Sequence, residues 1–482
     1  MRRRITIYIV SILMMFCFCG CGHANNDDDK KYNPNTVYDY GDEYFRGIYD
    51  RVTLDYDCEN YLYEDFQFGI DSRLSIVNAV WGSKEEYPHN GFQKENVFLT
   101  DDGLLALRIN GNYYRGESLG ETNGLRSGGG LVSDFDAGPG RFEICMKAAP
   151  RVGTCSAFWT YQYNSSNPEE NGWNEIDIEI LGGGASTFDK PLYTTWQNAS
   201  RPYTDAVAFD NIILNDGKWH VYAFDWYTDY LGTGKGRIDW FIDGKLCHWT
   251  ENNVSLKSGN IWLGGYSPDI NFVGDADFDT TWMLVDWVQY TPFKDMSGWE
   301  DTDYDNFFNK HIKTYPVKRI TIIDDMVNQR ISNGGFEYVD SESNVPYQVS
   351  DELQNYAAVG WKKIYSPEGT CSYEVIGGSG GNSLKVTDGK IGQSIHGVFE
   401  GYKYDFSCNA MIFSESNAQV EIVYYDNDGV VLKRQVLETA QKSNDFQKIQ
   451  SELIAPENCK SLSIFLKNGV FDDVSCLFKG ME

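Results

Sequence analysis

Residues 174–180 read Asn-Glu-Ile-Asp-Ile-Glu-Ile, three carboxylates alternating strictly with three isoleucines. A β-strand has a side-chain period of two, so Glu175, Asp177 and Glu179 line one face and Ile176, Ile178 and Ile180 the other. Three acids on one strand face repel one another and stabilise no fold, which makes chemistry the reason to keep them. Cα atoms four residues apart lie about 13 Å apart along a strand, and leaning side chains on a concave sheet bring the two glutamate carboxyls to about 5 Å. That spacing suits a retaining glycosidase, in which one carboxylate attacks the sugar while the other handles protons. Asp177 between them can hydrogen-bond a neighbour and separate their pKa values. A wet strand of an acidic protein could carry the same alternation by accident, so the flanks matter. Trp173 precedes the acids, Leu181 and Gly182 to Gly184 follow, and an aromatic strand, Phe158-Trp159-Thr160-Tyr161-Gln162-Tyr163, lies upstream. Flat rings beside a carboxylate cluster suit sugar binding, although core packing is the commoner fate of any one ring.

The elements that must hold this strand read as β throughout. Aromatics make up 15% of the 482 residues, glycine is frequent, and no long amphipathic helix pattern is evident, which is an all-β profile with room for two or three domains. Alternation predicts strands over Arg141–Lys147, Ala157–Tyr163, Asn174–Leu181, Trp219–Trp226, Arg237–Ile242 and Trp282–Tyr290, with Asp243-Gly244 as a tight hairpin. From about Lys294 to Val327 the pattern gives way to an acidic linker whose end, Lys318 to Ile323, can pair as a strand. Further strands follow: Tyr373–Ile376, Ser383–Thr387, Tyr402–Ile412, Gln419–Tyr425, Val430–Leu437 and Ser461–Leu466.

The stretch from Gly172 to Gly182 resembles the active-site strand of glycoside hydrolase family 16, and above all that of its lichenases. The similarity runs in order from Phe92–Leu107 through Leu125-Arg126-Ser127 and Gly140–Glu143. It continues through Trp219–Trp226 and Trp240–Gly244 to Val285–Val288. The resemblance implies a curved, concanavalin-like β-jelly-roll sandwich with Glu175 as nucleophile, Glu179 as acid/base and Asp177 as the assisting carboxylate. Arg126 is similar to the family's cleft arginine, and Trp159, Trp173 and Trp196 are expected sugar platforms. Gly103 and Asp286 resemble positions that hold a structural calcium. No extra residue separates the last two acids, as in the lichenase and xyloglucan-active branches. Leu192–Asp205 and Tyr266–Asp279 depart from lichenases and are expected to border the cleft.

Ser332 to Glu337, Trp361 and Phe471 to Val474 resemble carbohydrate-binding modules of families 4 and 22, implying a second, smaller β-sandwich. There Glu337 and Asp473 fit a structural calcium, and Tyr365, Tyr404 and Tyr424 are candidate platforms. Arg2-Arg3-Arg4, an apolar run from Ile5 to Phe18 and Cys19-Gly20-Cys21 read as a secretion signal with a lipobox, so Cys21 is the expected lipid attachment point. The expected organisation is signal peptide 1–21, tether 22–52, catalytic domain 53–295, linker 296–328 and binding-module-like sandwich 329–482. The acidic run Asp27-Asp28-Asp29 suggests display at the surface of an outer membrane.

A formal charge of −29 argues against nucleic acid or an anionic membrane as partner. No cysteine or histidine spacing suggests zinc, and neither a phosphate loop nor a Gly-x-Ser-x-Gly elbow occurs. Eight cysteines beyond Cys21 permit disulfides without dictating their pairing. The expectation is a monomeric, lipid-anchored endo-acting β-glucanase that needs no cofactor for catalysis. Mixed-linkage β-1,3-1,4-glucan is the first choice of substrate and β-1,3-glucan the next. The alternatives are a non-catalytic glycan-binding lipoprotein and an enzyme acting on xyloglucan or β-galactan.

Overall fold

The computed structural model describes residues 61–80, 91–163, 173–182, 190–197, 203–206, 214, 216–294, 296–301, 315–322, 324–339, 356–378, 380–413, 416–439 and 445–481. The expected signal peptide, Cys21 and the expected tether lie outside them. Among the described residues no helix is long and apolar enough to cross a membrane.

The chain is all-β, built as two sandwiches in series. In the first, a seven-stranded sheet runs Tyr203–Ala206, Leu192–Trp196, Trp173–Leu181, Cys155–Tyr163, Gly259–Tyr266, Gly129–Ala137, Leu74–Ile76. A nine-stranded sheet packs against it, in the order Lys245–Thr250, Arg237–Ile242, His220–Tyr227, Gly140–Lys147, Thr280–Pro292, Leu105–Asn110, Val97–Thr100, Lys318–Ile320; Leu62–Glu64 pairs off this path with Thr280–Pro292. Alternation decides what fills the space between the sheets. Ile176, Ile178 and Ile180 meet Phe142, Phe224, Trp240 and Ile261 in one apolar core. Each fully buried aliphatic side chain contributes on the order of 1.5–3 kcal/mol, so the isoleucine face clamps the acidic strand firmly.

The Asp243-Gly244 hairpin forms with φ of +49° and +76°, the mirror-image turn that matches strand twist. The Asp243 carboxylate also accepts from Val221 N at 2.9 Å and contacts His220 Nδ1 at 2.7 Å, tying the turn to the neighbouring strand. Lys318–Ile320, at the end of the acidic segment, pairs in parallel with Val97–Thr100. Ile320, Ile322 and Val327 pack with Phe98, Trp282 and Leu284, so this stretch covers the outer surface of the first sandwich.

The second sandwich has a six-stranded sheet with Lys390–His396, Ser461–Lys467 and Gln419–Tyr425 at its centre, and a five-stranded sheet centred on Gly469–Met481. It abuts the first. Arg151 Nη1 donates to the Gln329 carbonyl at 3.1 Å, and Asp279 N donates to Ser332 Oγ at 3.2 Å. Among the described residues, Cys155, Cys371, Cys408, Cys459 and Cys476 are in no disulfide.

Candidate active site

Trp173–Leu181 pairs with Cys155–Tyr163 on one side and Leu192–Trp196 on the other, and the register runs unbroken past all three acids. No bulge intervenes, so the period of two holds and Glu175, Asp177 and Glu179 share the face away from the core. Residues directly opposite in a ladder also share a face. Tyr161 and Trp196 therefore flank Glu175, Trp159 and Thr194 flank Asp177, and Ala157 and Leu192 flank Glu179. Asp177 is only 6% exposed, whereas Glu175 and Glu179 are half-buried. From the opposite sheet, the buried Trp240 indole donates to the Asp177 main-chain carbonyl at 3.0 Å.

Burial raises the pKa of all three acids, and like charge adds to it for Glu175 and Asp177. Glu175 is pushed up to about 8 by burial and then by Glu179, while a hydrogen bond from Asp177 pulls it back. Asp177 is raised well above the usual carboxylate range by burial and by both glutamates. Glu179 is pushed up to about 7 by burial, with a hydrogen bond from Cys155 opposing. Three carboxylates this close cannot all ionise at neutral pH, so the cluster holds protons there. Asp177 is the natural holder, its proton directed at Glu175. Glu175 must ionise to act as a nucleophile, and the hydrogen bond from Asp177, which pulls its pKa down, is the contact that favours Glu175 as carboxylate beside Glu179 as acid.

Aromatic rings extend this face. Trp159, half-buried, stacks on Trp262 at 5.6 Å and 21°, and Tyr161 meets Trp262 edge-on at 6.4 Å. Phe92 packs beside them, 5.6 Å from Tyr266. Trp196 is half-buried opposite Glu175. Trp173 opens the strand, but its side chain lies outside the described residues. Arg126 is buried in the left-handed region at φ +49°, and its Nη2 donates to the Pro268 carbonyl, bracing the segment after Tyr266. Sequence reasoning missed Trp262 and Cys155 as neighbours of the acids, and reached Tyr266 only as the first residue of a segment expected to border the cleft. Trp262 and Tyr266 lie on Gly259–Tyr266, whose glycines mask its alternation. A Cβ on Gly264 would stand 2.2 Å from Phe92 Cζ, so those glycines admit a close packing contact.

Asp286 sits at a register break in Thr280–Pro292, where burial and then the charges of Asp65 and Asp102 raise its pKa. The Gly103 carbonyl accepts from Gln67 Nε2 at 3.4 Å, and Gly103 itself turns at φ +88°. These all-oxygen groups suit calcium in kind. Among the described residues, however, no three His, Cys, Asp or Glu side chains are arranged to hold a metal, so a cation here would lean on main-chain oxygens. In the second sandwich Glu337 accepts from Asn382 N at 2.8 Å and Asp473 from Asn409 Nδ2 at 2.9 Å. Asp472 stands near both, its pKa raised by burial and then by Asp473 and Glu337. The tyrosine platforms need correction. Tyr404 and Tyr424 are 1% and 0% exposed, because their strands turn them into the core of the second sandwich; only Tyr365, at 53%, is free to meet a ligand.

Residues 84–267 match the family described as Glycosyl hydrolases family 16. A β-glucanase of Brevibacillus brevis is 27% identical over 236 residues, spanning 48% of this chain and 82% of that protein. A β-glucanase of Acetivibrio thermocellus is 34% identical over 194 residues, 39% of this chain and 48% of that protein. The crystal structure of a lichenase from a mouse hindgut metagenome aligns with 24% identity and a TM-score of 0.38, covering 48% of this chain and 99% of that one.

Proposed function

We propose, taking the family 16 glycosyl hydrolase domain of residues 84–267 as the premise, that this chain is an endo-acting retaining β-glucanase. The observation that carries the reading is the unbroken strand presenting Glu175, Asp177 and Glu179 on one aromatic-lined face while its isoleucines anchor the core. Glu175 attacks the anomeric carbon as a carboxylate, assisted by the Asp177 proton. Glu179 protonates the departing glycosidic oxygen. Once Glu175 is esterified its charge is gone, the repulsion between the two glutamates ends, and Glu179 becomes the base that activates water. Trp159 and Trp196 offer rings for sugar stacking, and Arg126 fixes the loop beyond Tyr266.

Mixed-linkage β-1,3-1,4-glucan is the first-choice substrate and β-1,3-glucan the next; the relatives named β-glucanase support that class. Secretion, lipidation at Cys21, anchorage in an outer membrane and glycan binding by the second sandwich belong to the same proposal and rest on the sequence. Two measurements test it: product sizing on a panel of β-glucans, xyloglucan and β-galactan, and proton NMR of the first anomer released. Retention with mid-sized oligosaccharides from a β-glucan is expected. An inverted first product would refute double displacement.

A further inference from the structure

Behind Glu179 a row of side chains crosses three strands. Cys155 and Tyr266 stand opposite each other in the ladder between Cys155–Tyr163 and Gly259–Tyr266. The Tyr266 hydroxyl donates to the Cys155 sulfur, and the Cys155 thiol donates to Glu179 Oε1, with a sulfur–oxygen distance of 3.7 Å. Cys155 is fully buried and in no disulfide. Its surroundings are Ala157, Leu181, Leu192 and Val273, with Trp159 and Phe272 at the edge. Nothing about the fold demands a thiol in this place. A small apolar residue would fill it at less polar cost, since a buried donor must find an acceptor.

The geometry points to Cys155 as a positioning residue for the proposed reaction: its thiol, oriented by Tyr266, holds Glu179 in one rotamer and steadies its carboxylate form. This rests on Glu179 being the acid/base. Among the described residues, four ionisable side chains stand by Glu179. Glu175 and Asp177 stand on its own strand, and Cys155 and Tyr266 come from the next two. Leu192 stands opposite Glu179 in the ladder and brings no charge. Burial pushes the thiol well above its ordinary range, so it stays protonated and can only donate toward the carboxylate. Against the desolvation that pushes Glu179 up, the Cys155 thiol pulls it down. The acid must protonate a leaving group and then, as a carboxylate, accept a proton from water. A weak donor serves both halves, because it favours the anion without locking it.

The test is the pH dependence of kcat/KM on a β-glucan, measured for the full chain and for two variants. Cys155→Ala removes the donor, and its alkaline limb should move up by about half a pH unit or more. Cys155→Ser keeps a donor, so its limb should stay at or below the wild-type position. A residue that merely fills space would lower thermal stability in both variants and leave the limb where it was. An unmoved limb in Cys155→Ala, or the same upward shift in both variants, overturns the proposal. Glu179→Ala separates this from the reading beneath it. Loss of polysaccharide hydrolysis with rescue by azide on an activated aryl glycoside keeps Glu179 as acid/base. Normal hydrolysis by Glu179→Ala would overturn both.

Discussion

The Trp240 indole reaches across the sandwich core and donates to the main-chain carbonyl of Asp177 at 3.0 Å, so the opposite sheet holds the middle of the acidic strand. Asp177 is thereby fixed by its backbone, leaving its side chain to serve the two glutamates. Trp240→Phe keeps a large ring and loses that donor. It should cost about 0.5–1.5 kcal/mol, plus a little lost packing. For a domain of this size that is a fall in Tm of about 1–6 °C, readable by circular dichroism. Thermal stability equal to wild type would show that the bond contributes nothing.

The acids should destabilise the fold they serve. Each has a folded pKa above its unfolded value, so the folded state binds protons more tightly and stability falls as pH rises from about 4 toward 8. Glu179→Gln removes one of those charges. Its Tm should exceed that of wild type by several degrees at pH 8, and the gain should vanish near pH 4, where the acids are protonated anyway. Turnover of polysaccharide should drop by a factor on the order of a hundred to ten thousand. A variant less stable than wild type at pH 8 would contradict the assigned electrostatics.

His220 works in the opposite direction. It contacts Asp243 at 2.7 Å and Asp216 at 3.4 Å, and these carboxylates outweigh burial to push it up to about 9. A raised imidazole contributes stability that is complete below its unfolded pKa of about 6.5 and is lost as pH climbs through 9. Wild type should therefore lose more Tm between pH 6.5 and 9.5 than His220→Gln does. Parallel curves for the two proteins would refute a charged His220.

Much of this arrangement is legible in the sequence, for one reason: period-two alternation is strong wherever one strand face meets a core. Arg237–Ile242 and Gln419–Tyr425 appear with the bounds that alternation predicts, and the acidic strand differs only by including Trp173. The signal fails where glycine replaces a packing side chain. Gly259–Tyr266 carries Trp262 and Tyr266 to the site, yet Gly264 and Gly265 interrupt its pattern because they abut Phe92, Ile109 and Met283. It fails also where partners are distant in sequence, as for Cys155 and Glu179 or Trp240 and Asp177. The tyrosines of the second sandwich show the converse error, since aromatic type alone does not say which face of a strand meets solvent.

Calcium remains a proposal with a direct readout. Asp286, with Asp65 and Asp102 close by, is a carboxylate whose charge a divalent ion would relieve. Saturating calcium should raise Tm by several degrees, about 2.7 kcal/mol of stabilisation at a hundredfold excess over Kd. Asp286→Asn should remove most of the effect, and Asp473→Asn should remove any part due to the second sandwich. Insensitivity of wild type to calcium and to chelator would sink the assignment.

The central claim is that Glu175 becomes covalently attached to the sugar. Mass spectrometry of peptides from enzyme incubated with a 2-deoxy-2-fluoro β-glucosyl or β-cellobiosyl fluoride tests it most directly, because the fluorine slows release of the intermediate. The expected result is one glycosyl adduct on the peptide containing Glu175, absent from Glu175→Gln. An adduct carried instead by Glu179, or full activity in Glu175→Gln, would contradict the account.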